Sequence, residues 1–321
     1  MGGSVKTTAI INKKVIKAVE TSMRIEDCRF DASKKTKAQA KTLMEQQCVQ
    51  VSVPESDIYL PGRPQRIETM SASFDLSARI FLLSHMRAYT SLAGHILGSH
   101  PQINGYYEMH LSYEDAAALD RQLEAFRQDE VLKPGSRYLF DKLLHNDYVL
   151  KPERLGAAEL KILVALAEPA HTIRSIVHLF RQKPDPDLYA SPVEAARYYV
   201  ERVRAIADFC RTADRPYFYF DAELWQRAPE RLLPRLTAWL QLEPTLSERY
   251  AVFGQTGKAR RGDSSTRLRS GRIDRTRSDY SEVAIPEDVL EGAREVYREC
   301  RAQMIAGAAD SVCLEETTRN C

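Results

Sequence analysis

A short apolar segment that leads into a polar loop and then a helix is the feature that most constrains the fold. Residues 79–84 are almost wholly apolar, as expected of a strand buried on both faces of a parallel sheet. Beyond the loop, Leu92, Ile96 and Leu97 recur at helical spacing, and the helix is expected to stop at the breaker cluster 98–101. The sequence therefore predicts a strand–loop–helix unit.

Further strands and helices alternate along the chain. Short apolar and aromatic runs predict core strands at 138–140, 162–166 and 217–220. Amphipathic helices, each with a proline at or just before its start, are predicted at 192–211, 229–240 and 286–305. This alternation predicts an α/β fold of three layers, with a central parallel sheet flanked by helices.

Composition divides the chain into three parts. Residues 1–75 contain a stretch dense in Lys, Ala, Ser and Thr, followed by scattered prolines. They are predicted to form an N-terminal extension that is partly disordered or peripheral. The main domain is predicted over 76–307 and a C-terminal tail over 308–321. Hydrophobic residues make up 44% of the chain, enough for a sizeable core.

Charge and cysteine usage argue against several classes of protein. The 46 basic and 44 acidic residues leave a formal net charge of +2, which argues against a dedicated nucleic-acid binder. No apolar run reaches the ~18–20 residues of a membrane span, and no apolar signal core follows Met1. The six cysteines form no C-x-x-C pair and no zinc-type spacing. We therefore expect a cytoplasmic protein without a metal.

The loop after the first strand has the composition of an anion site. N–H groups in the first turn of a helix lack helical partners and, with the helix dipole, attract negative charge. Around those amides the loop offers the cation Arg87 and the hydroxyls of Thr90 and Ser91. The G-x-x-x-x-G-K-[ST] pattern of nucleotide triphosphatases is absent. The sequence predicts an anion-binding loop of another type, with a plain strand-to-helix turn as the alternative.

The stretch 81–113 resembles the start of bacterial sulfotransferases that use 3′-phosphoadenosine 5′-phosphosulfate (PAPS). Their 5′-phosphosulfate loop reads roughly Arg/Lys-Ser-Gly/Tyr-Thr/Ser-Ser/Thr-Leu after the first strand. Ala88 stands where Ser is usual and Tyr89 where many members carry Gly, while the other positions match. The resemblance implies a P-loop-like domain with PAPS as co-substrate. The residues that it assigns to the 5′-phosphosulfate are Arg87, Ala88, Tyr89, Thr90, Ser91 and Leu92.

The segment 163–180 extends the resemblance. At this point the family has a strand, then Arg-x-Pro, then a Ser, and the Arg and Ser bind the 3′-phosphate of PAPS. Pro169 and Ser175 match, which implies that Ser175 binds this phosphate, but Ala167 occupies the Arg position. Loss of that guanidinium removes a bidentate, charge-assisted contact. Arg174 or a later basic residue would have to replace it.

The segment 253–273 is similar to the family's late loop, in which basic residues before Gly-Asp lie over the 3′-phosphate and adenine. The usual Gly after the Lys is Ala259 in this chain. A solvated basic loop is the alternative. The residues matched for cofactor binding are Lys258, Arg260, Arg261 and Gly262.

Three residues are candidates for the catalytic base. Sulfuryl transfer needs a base for the acceptor proton and a cation for the charge that builds on the leaving oxygen. The resembled family uses a Glu just after the second strand, like Glu108, or a His from a later strand, like His145. Glu108 is preferred because its loop is adjacent to the phosphosulfate loop, and His110 is the third choice. By the same resemblance, Lys142 is the cation beside the transferred group.

Taken together, the resemblance implies an enzyme that transfers a sulfuryl group from PAPS to a hydroxyl or amine by in-line displacement. The implied acceptor is a small molecule or glycan, nucleic acid is not a partner, and a homodimer is left open. A phosphoryl-transfer enzyme would need Walker-type residues, which are absent. The alternative is a degenerate, non-catalytic nucleotide-binding or interaction protein of the same fold, because Ala88 and Ala167 depart from the pattern.

Overall fold

A computed structural model describes residues 76, 78–185, 187–254, 256 and 266–314. The expected N-terminal extension, 1–75, lies outside the described residues. Among the described residues, no helix combines the length and the apolar character needed to cross a bilayer.

A central sheet of six strands has the order β2-β3-β1-β4-β5-β6. Every pair of neighbouring strands is parallel. The strands are β1 Ala78–Leu83, β2 Ile103–Asn104, β3 Tyr138–Leu143, β4 Glu159–Leu166, β5 Tyr217–Asp221 and β6 Asp310–Val312.

Helices lie in the connections between consecutive strands, except that the connection from β3 to β4 holds only a 3₁₀ turn at Pro152–Arg154. The α-helices of the described residues are α1 Thr90–Ser99, α2 Ala117–Asp129, α3 Pro169–Arg181, α4 Pro192–Thr212, α5 Leu224–Arg227, α6 Pro229–Leu240 and α7 Glu287–Gly307. Pro169, Pro192 and Pro229 each open a helix, where the missing N–H would have no helical acceptor.

The sheet separates two apolar cores, because successive side chains of a strand point to opposite faces. In β1, Ala78, Ile80 and Leu82 belong to one core, which α1 and α6 cover. Phe81 and Leu83 belong to the other, which α3, α4 and α7 cover. The predicted three-layer α/β architecture with a central parallel sheet is confirmed.

The strand order reverses direction beside β1. The connection that leaves β1 reaches β2 and β3 on one side, whereas β3 connects across β1 to β4 on the other. In open α/β sheets, ligands bind outside the carboxyl ends of the strands where the order reverses. The loop between β1 and α1 lies at such a switch point.

Two short strands differ from expectation. Residues 310–312, expected in a C-terminal tail, instead form β6 and pair with β5 from Phe218 to Phe220. Strand β2 is two residues long and was not anticipated. Runs of two or three residues carry too little periodicity to stand out, and the existing strands supply the hydrogen bonds that define them.

A buried ion pair holds the end of the chain against β5. The Arg301 guanidinium donates to both oxygens of Asp221, at 2.8 Å each, and Asp221 is 2% exposed. The same carboxylate accepts the Leu314 N–H group at 2.7 Å and the Tyr219 hydroxyl at 2.9 Å. The pair therefore links α7, β5 and the segment after β6.

We expect Arg301→Met to lower the free energy of unfolding by about 3–5 kcal/mol, because it leaves a buried carboxylate without its charge partner. Urea denaturation of the full chain measures this. The matched control is Arg298→Met, since Arg298 pairs with Glu291 on the surface and its side chain is 65% exposed. That change should cost less than about 1 kcal/mol. Equal losses in the two variants would contradict the role given to the buried pair.

Candidate active site

The loop between β1 and α1 has an unusual backbone. Arg87 and Tyr89 adopt φ angles of 63° and 56°, in the left-handed region that costs energy for residues with a Cβ. The surrounding structure holds this shape. Ser84 donates its hydroxyl to the Ala165 carbonyl at 2.8 Å, and the Met86 N–H group donates to the Tyr198 hydroxyl at 2.8 Å. The loop is thus tied to β4 and to α4.

A buried histidine joins the carboxyl ends of β1 and β4. The Nε2 atom of His85 accepts the Ala167 N–H group at 3.0 Å, so its proton resides on Nδ1, which lies 2.9 Å from the Met86 carbonyl oxygen. Burial lowers the pKa of His85 to about 4. The hydrogen bond to Met86 raises this pKa, and the charge of Arg202 lowers it further. His85 is neutral near pH 7 and supports the loop.

Helix α4 contributes three side chains to the strand ends. The Tyr198 hydroxyl donates to the Leu144 carbonyl at 2.7 Å, and the Tyr199 hydroxyl donates to the Ala167 carbonyl at 2.7 Å. Arg202, which is 4% exposed, donates to the carbonyl groups of Ser84 and Leu143 at 2.9 and 2.6 Å. These contacts fix the carboxyl ends of β1, β3 and β4. The sequence analysis did not single out these side chains for this role, because helix spacing explains their burial equally well.

The side chains of the predicted phosphosulfate loop point to different surroundings. Ala88 is 1% exposed and packs in the core with α1, where Leu92 also packs. Tyr89 donates its hydroxyl to Gln226 at 3.2 Å. Thr90 is the first residue of α1, so the amides that follow it lack acceptors within the helix. The buried methyl group of Ala88 therefore leaves only its backbone for a ligand, whereas the Leu92 side chain is partly exposed.

The structure brings two predicted phosphate segments together. The Nε atom of Arg87 donates to the Ser175 hydroxyl at 2.9 Å, across 88 positions of sequence. Ser175 lies in the second turn of α3 and is 4% exposed. Burial opposes ionisation of Tyr280, but its bonds to Ser175, Ser278 and Arg87 leave its pKa lowered. Arg87, Ser175 and Tyr280 form one cluster.

A cavity of about 380 Å³ opens beside this cluster. Two arginines, Arg174 and Arg277, and two carboxylates, Glu168 and Asp279, carry its charges. Its lining residues are Glu168, Ala170, His171, Arg174, Arg277, Ser278, Asp279, Tyr280 and Ser281. An arginine-lined hollow of this size accommodates a phosphate-sized anion, because guanidinium groups recognise planar pairs of oxygens.

The N-terminus of α3 is occupied by its own carboxylate. Glu168 accepts the N–H groups of Ala170 and His171 at 3.0 and 3.1 Å. The orphan amides that attract anions at helix starts are therefore already satisfied. An anion in the cavity has to be held by side chains.

Arg277 is the residue that the sequence analysis missed. Ala167, at the family's Arg position, is 2% exposed, packs in the core, and uses its backbone N–H and carbonyl on His85 and Tyr199. Arg277 instead lines the cavity from the irregular segment before α7. Within the described part of the chain, no carboxylate forms an ion pair with Arg277. No local pattern marks it, because only the tertiary fold carries this segment to α3.

Lys142 approaches the loop from the opposite side. It lies in β3, is 2% exposed, and its Nζ atom is 3.4 Å from the Ser91 hydroxyl. Its neighbour Asp141 accepts the N–H groups of Met109 and Lys142 at 3.0 and 2.7 Å and the Tyr113 hydroxyl at 2.6 Å. Burial raises the pKa of Asp141 to about 7, against these hydrogen bonds. Asp141 thereby ties the loop after β2 to β3.

The three candidate bases belong to one cluster. Glu108 is 7% exposed, and its Oε1 atom finds no hydrogen-bond partner among the described residues. That oxygen lies 3.7 Å from Nδ1 of His110. Burial lowers the pKa of His145, and the charge of Glu108 opposes this effect. Glu108, His110 and His145 therefore share one electrostatic environment.

Four predicted cofactor residues cannot be placed. Lys258, Arg260, Arg261 and Gly262 lie outside the described residues, so their contribution stays a prediction. Across residues 76, 78–185, 187–254, 256 and 266–314, no three His, Cys, Asp or Glu side chains converge as metal ligands.

Comparison with known proteins yields distant structural likenesses. No family model and no curated protein matches the sequence. A sulfotransferase domain from the curacin biosynthetic pathway is 16% identical, with a TM-score of 0.47 over 70% of this chain and 97% of that one. The sulfotransferase domain of the Synechococcus PCC 7002 olefin synthase is 18% identical, with a TM-score of 0.46 over 69% and 94%. Mouse sulfotransferase SULT7A1, complexed with PAP, is 14% identical, with a TM-score of 0.42 over 74% and 93%.

We expect Tyr198→Phe to lower the free energy of unfolding by about 1–3 kcal/mol, because the Met86 N–H and the Leu144 carbonyl lose their buried partner. Urea denaturation measures the loss. Tyr189→Phe is the matched control, since its ring contacts Tyr198 at 5.4 Å and its hydroxyl bonds to no described residue. If both substitutions prove neutral, Tyr198 does not support the loop.

Proposed function

We propose that this chain is a sulfotransferase that moves a sulfuryl group from PAPS to a hydroxyl or amine of a small molecule or glycan. The observation that carries the proposal is the contact between Arg87 Nε and the Ser175 hydroxyl at 2.9 Å. It joins the loop assigned to the 5′-phosphosulfate with the residue assigned to the 3′-phosphate. A nucleotide with anionic groups at both ends needs two adjacent sites of this kind.

The 3′-phosphate is assigned to the arginine-lined cavity. Ser175 offers a hydroxyl, and Arg174 and Arg277 offer guanidinium groups in place of the Arg that Ala167 replaces. These groups supply charge-assisted hydrogen bonds of the kind that a phosphate dianion requires. Because Glu168 caps α3, we assign the recognition to side chains rather than to helix amides.

The 5′-phosphosulfate is assigned to the first turn of α1. The amides that follow Tyr89 and the hydroxyls of Thr90 and Ser91 surround the start of the helix. Lys142 reaches the same turn through Ser91, and this contact supports the assignment of its charge to the group that is transferred. Its ammonium stabilises the negative charge that develops on the leaving phosphate oxygen.

The chemistry is an in-line displacement at sulfur. An acceptor oxygen or nitrogen forms the new bond to sulfur while the bond from sulfur to the phosphate oxygen breaks. The acceptor proton passes to a general base, and the electron pair of the broken bond leaves with 3′-phosphoadenosine 5′-phosphate (PAP). We assign the base to Glu108, a buried carboxylate whose Oε1 atom forms no hydrogen bond with the described residues. His145 is the alternative.

We expect PAP to raise the melting temperature of the full chain, because a ligand that binds only the native state stabilises it. Arg87→Ala and Arg277→Ala should each weaken PAP binding by about 10- to 100-fold, as expected for loss of a charge-assisted hydrogen bond. The matched control is Arg275→Ala, since Arg275 pairs with Glu230 and Glu248 on the surface. Its affinity for PAP should be unchanged.

The alternatives give different outcomes. Stabilisation by ATP with Mg²⁺ but not by PAP would favour a phosphoryl-transfer enzyme. The absence of any nucleotide effect would favour an interaction protein of the same fold and would overturn the proposal. If Arg275→Ala and Arg277→Ala weaken PAP binding equally, the assignment of the 3′-phosphate to the cavity is wrong.

Glu108→Gln should lower kcat by about 10²–10⁴-fold, the range for loss of a general base, with PAP affinity unchanged. His145→Ala should retain a near-native rate if Glu108 is the base. Turnover of labelled PAPS in a screen of acceptors measures both. Glu114→Gln is the control, because Glu114 is an exposed glutamate paired with Lys151. If His145→Ala lowers kcat and Glu108→Gln does not, His145 is the base and Glu108 is not.

A further inference from the structure

His171 lies among the arginines of the cavity without forming part of the core. It is the third residue of α3, is half-buried, and lines the cavity with Arg174 and Arg277. Its ring centroid lies 5.2 Å from that of Tyr280, which also contacts Ser175 and Arg87. The imidazole is therefore adjacent to the groups proposed to hold an anion.

The surroundings of His171 favour the neutral imidazole. Burial is the main cause that lowers the pKa of His171 to about 4, and the charge of Arg277 is the next. Glu168 acts in the opposite direction, while Arg87 and Arg174 lower the pKa further. The charged and titratable groups that face this part of α3 are Glu168, Arg174 and His178 from the helix itself, Arg87 from the loop, and Arg277, Asp279, Tyr280 and Glu282 from the segment before α7.

We propose that the cavity binds a divalent oxyanion together with one proton, and that His171 takes up this proton and becomes a further ligand of the anion. A bound dianion offsets the repulsion from the surrounding arginines and favours the imidazolium. The imidazolium in turn adds an N–H donor and a positive charge to the site. The inference rests on the proposed function in one respect, which is that the natural ligand of the cavity is the 3′-phosphate of PAPS.

The direction of the pH dependence follows from reciprocity. If the anion raises the proton affinity of His171, protonation of His171 raises the anion affinity by the same factor. The unliganded imidazole gains its proton only near pH 4, whereas the liganded one gains it nearer the ordinary value of about 6.5. Anion affinity therefore rises as the pH falls between these values and is flat above them.

Sulfate is the sharpest probe of this linkage. A phosphate monoester itself takes up a proton near pH 6, with a second pKa of about 6, which would mix with the titration of His171. Sulfate stays a dianion throughout this range, so any proton taken up on binding comes to the protein. Constant ionic strength removes screening as a variable.

Calorimetric titration of the full chain with sulfate, in buffers of different ionisation enthalpy, reports affinity and proton uptake together. Between about pH 7.5 and about pH 5, wild-type affinity should rise about 30-fold, with net proton uptake. His171→Gln should remove this rise while keeping binding at the upper pH. His178→Gln is the matched control, because His178 lies on the same helix and contacts Tyr280, yet bonds to Glu282 at 2.8 Å.

A second readout follows the imidazole directly. The NMR signal absent from His171→Gln identifies His171, and its titration should shift to higher pH when sulfate is added. This measurement separates His171 from the other six histidines of the chain. Sulfate held at the loop rather than in the cavity would leave the titration of His171 unchanged.

The outcomes separate the inference from the proposed function. Equal pH dependence in wild type and His171→Gln, or an unshifted His171 titration, overturns the inference even if PAP binds. Sulfate linkage through His171 in a chain that does not bind PAP sustains the anion site and overturns the proposed function. A chain that binds neither sulfate nor PAP overturns both.

Discussion

The site depends on a set of buried hydrogen bonds that fixes the carboxyl ends of three parallel strands. Arg202 of α4 holds carbonyl groups at the ends of β1 and β3, and His85 accepts the amide that follows β4. Tyr198 adds a hydroxyl to the loop backbone. Polar groups buried in this way are costly to leave unpaired, so they hold the loop in a left-handed conformation that it would not keep alone. Without this support the start of α1 would not lie at a fixed distance from α3.

With the loop fixed, the residues around it fall on two sides. On one side, Arg87 contacts Ser175 beside an arginine-lined cavity. On the other, Lys142 reaches Ser91, and Glu108 lies close to His110. A cation-rich side and a side with buried titratable groups are what a reaction needs when it binds an anionic donor and removes a proton from an acceptor. The proposed function assigns donor binding to the first side and proton removal to the second.

Sequence reasoning succeeded where a single element carries the signal. The apolar run at 79–84, the helix that follows and the helix at 229–240 were predicted because burial and helical periodicity are local properties. The strand–loop–helix order around the loop was also predicted, whereas anion binding by the loop stays a prediction. The strands β2 and β6 were not predicted from the sequence, because runs of two or three residues have no periodicity of their own. They form only where a neighbouring strand offers its hydrogen bonds.

The sequence by itself determined the three-layer α/β class, and it predicted an anion-binding loop and a short set of candidate bases. Only the tertiary structure decided that Arg87 contacts Ser175, that Arg277 lines a cavity beside the start of α3, and that Glu168 caps this helix. The reason is physical. Hydrophobic periodicity and helix capping act between residues a few positions apart, whereas an anion site is assembled from charges that lie far apart in the chain and become neighbours only when the sheet folds.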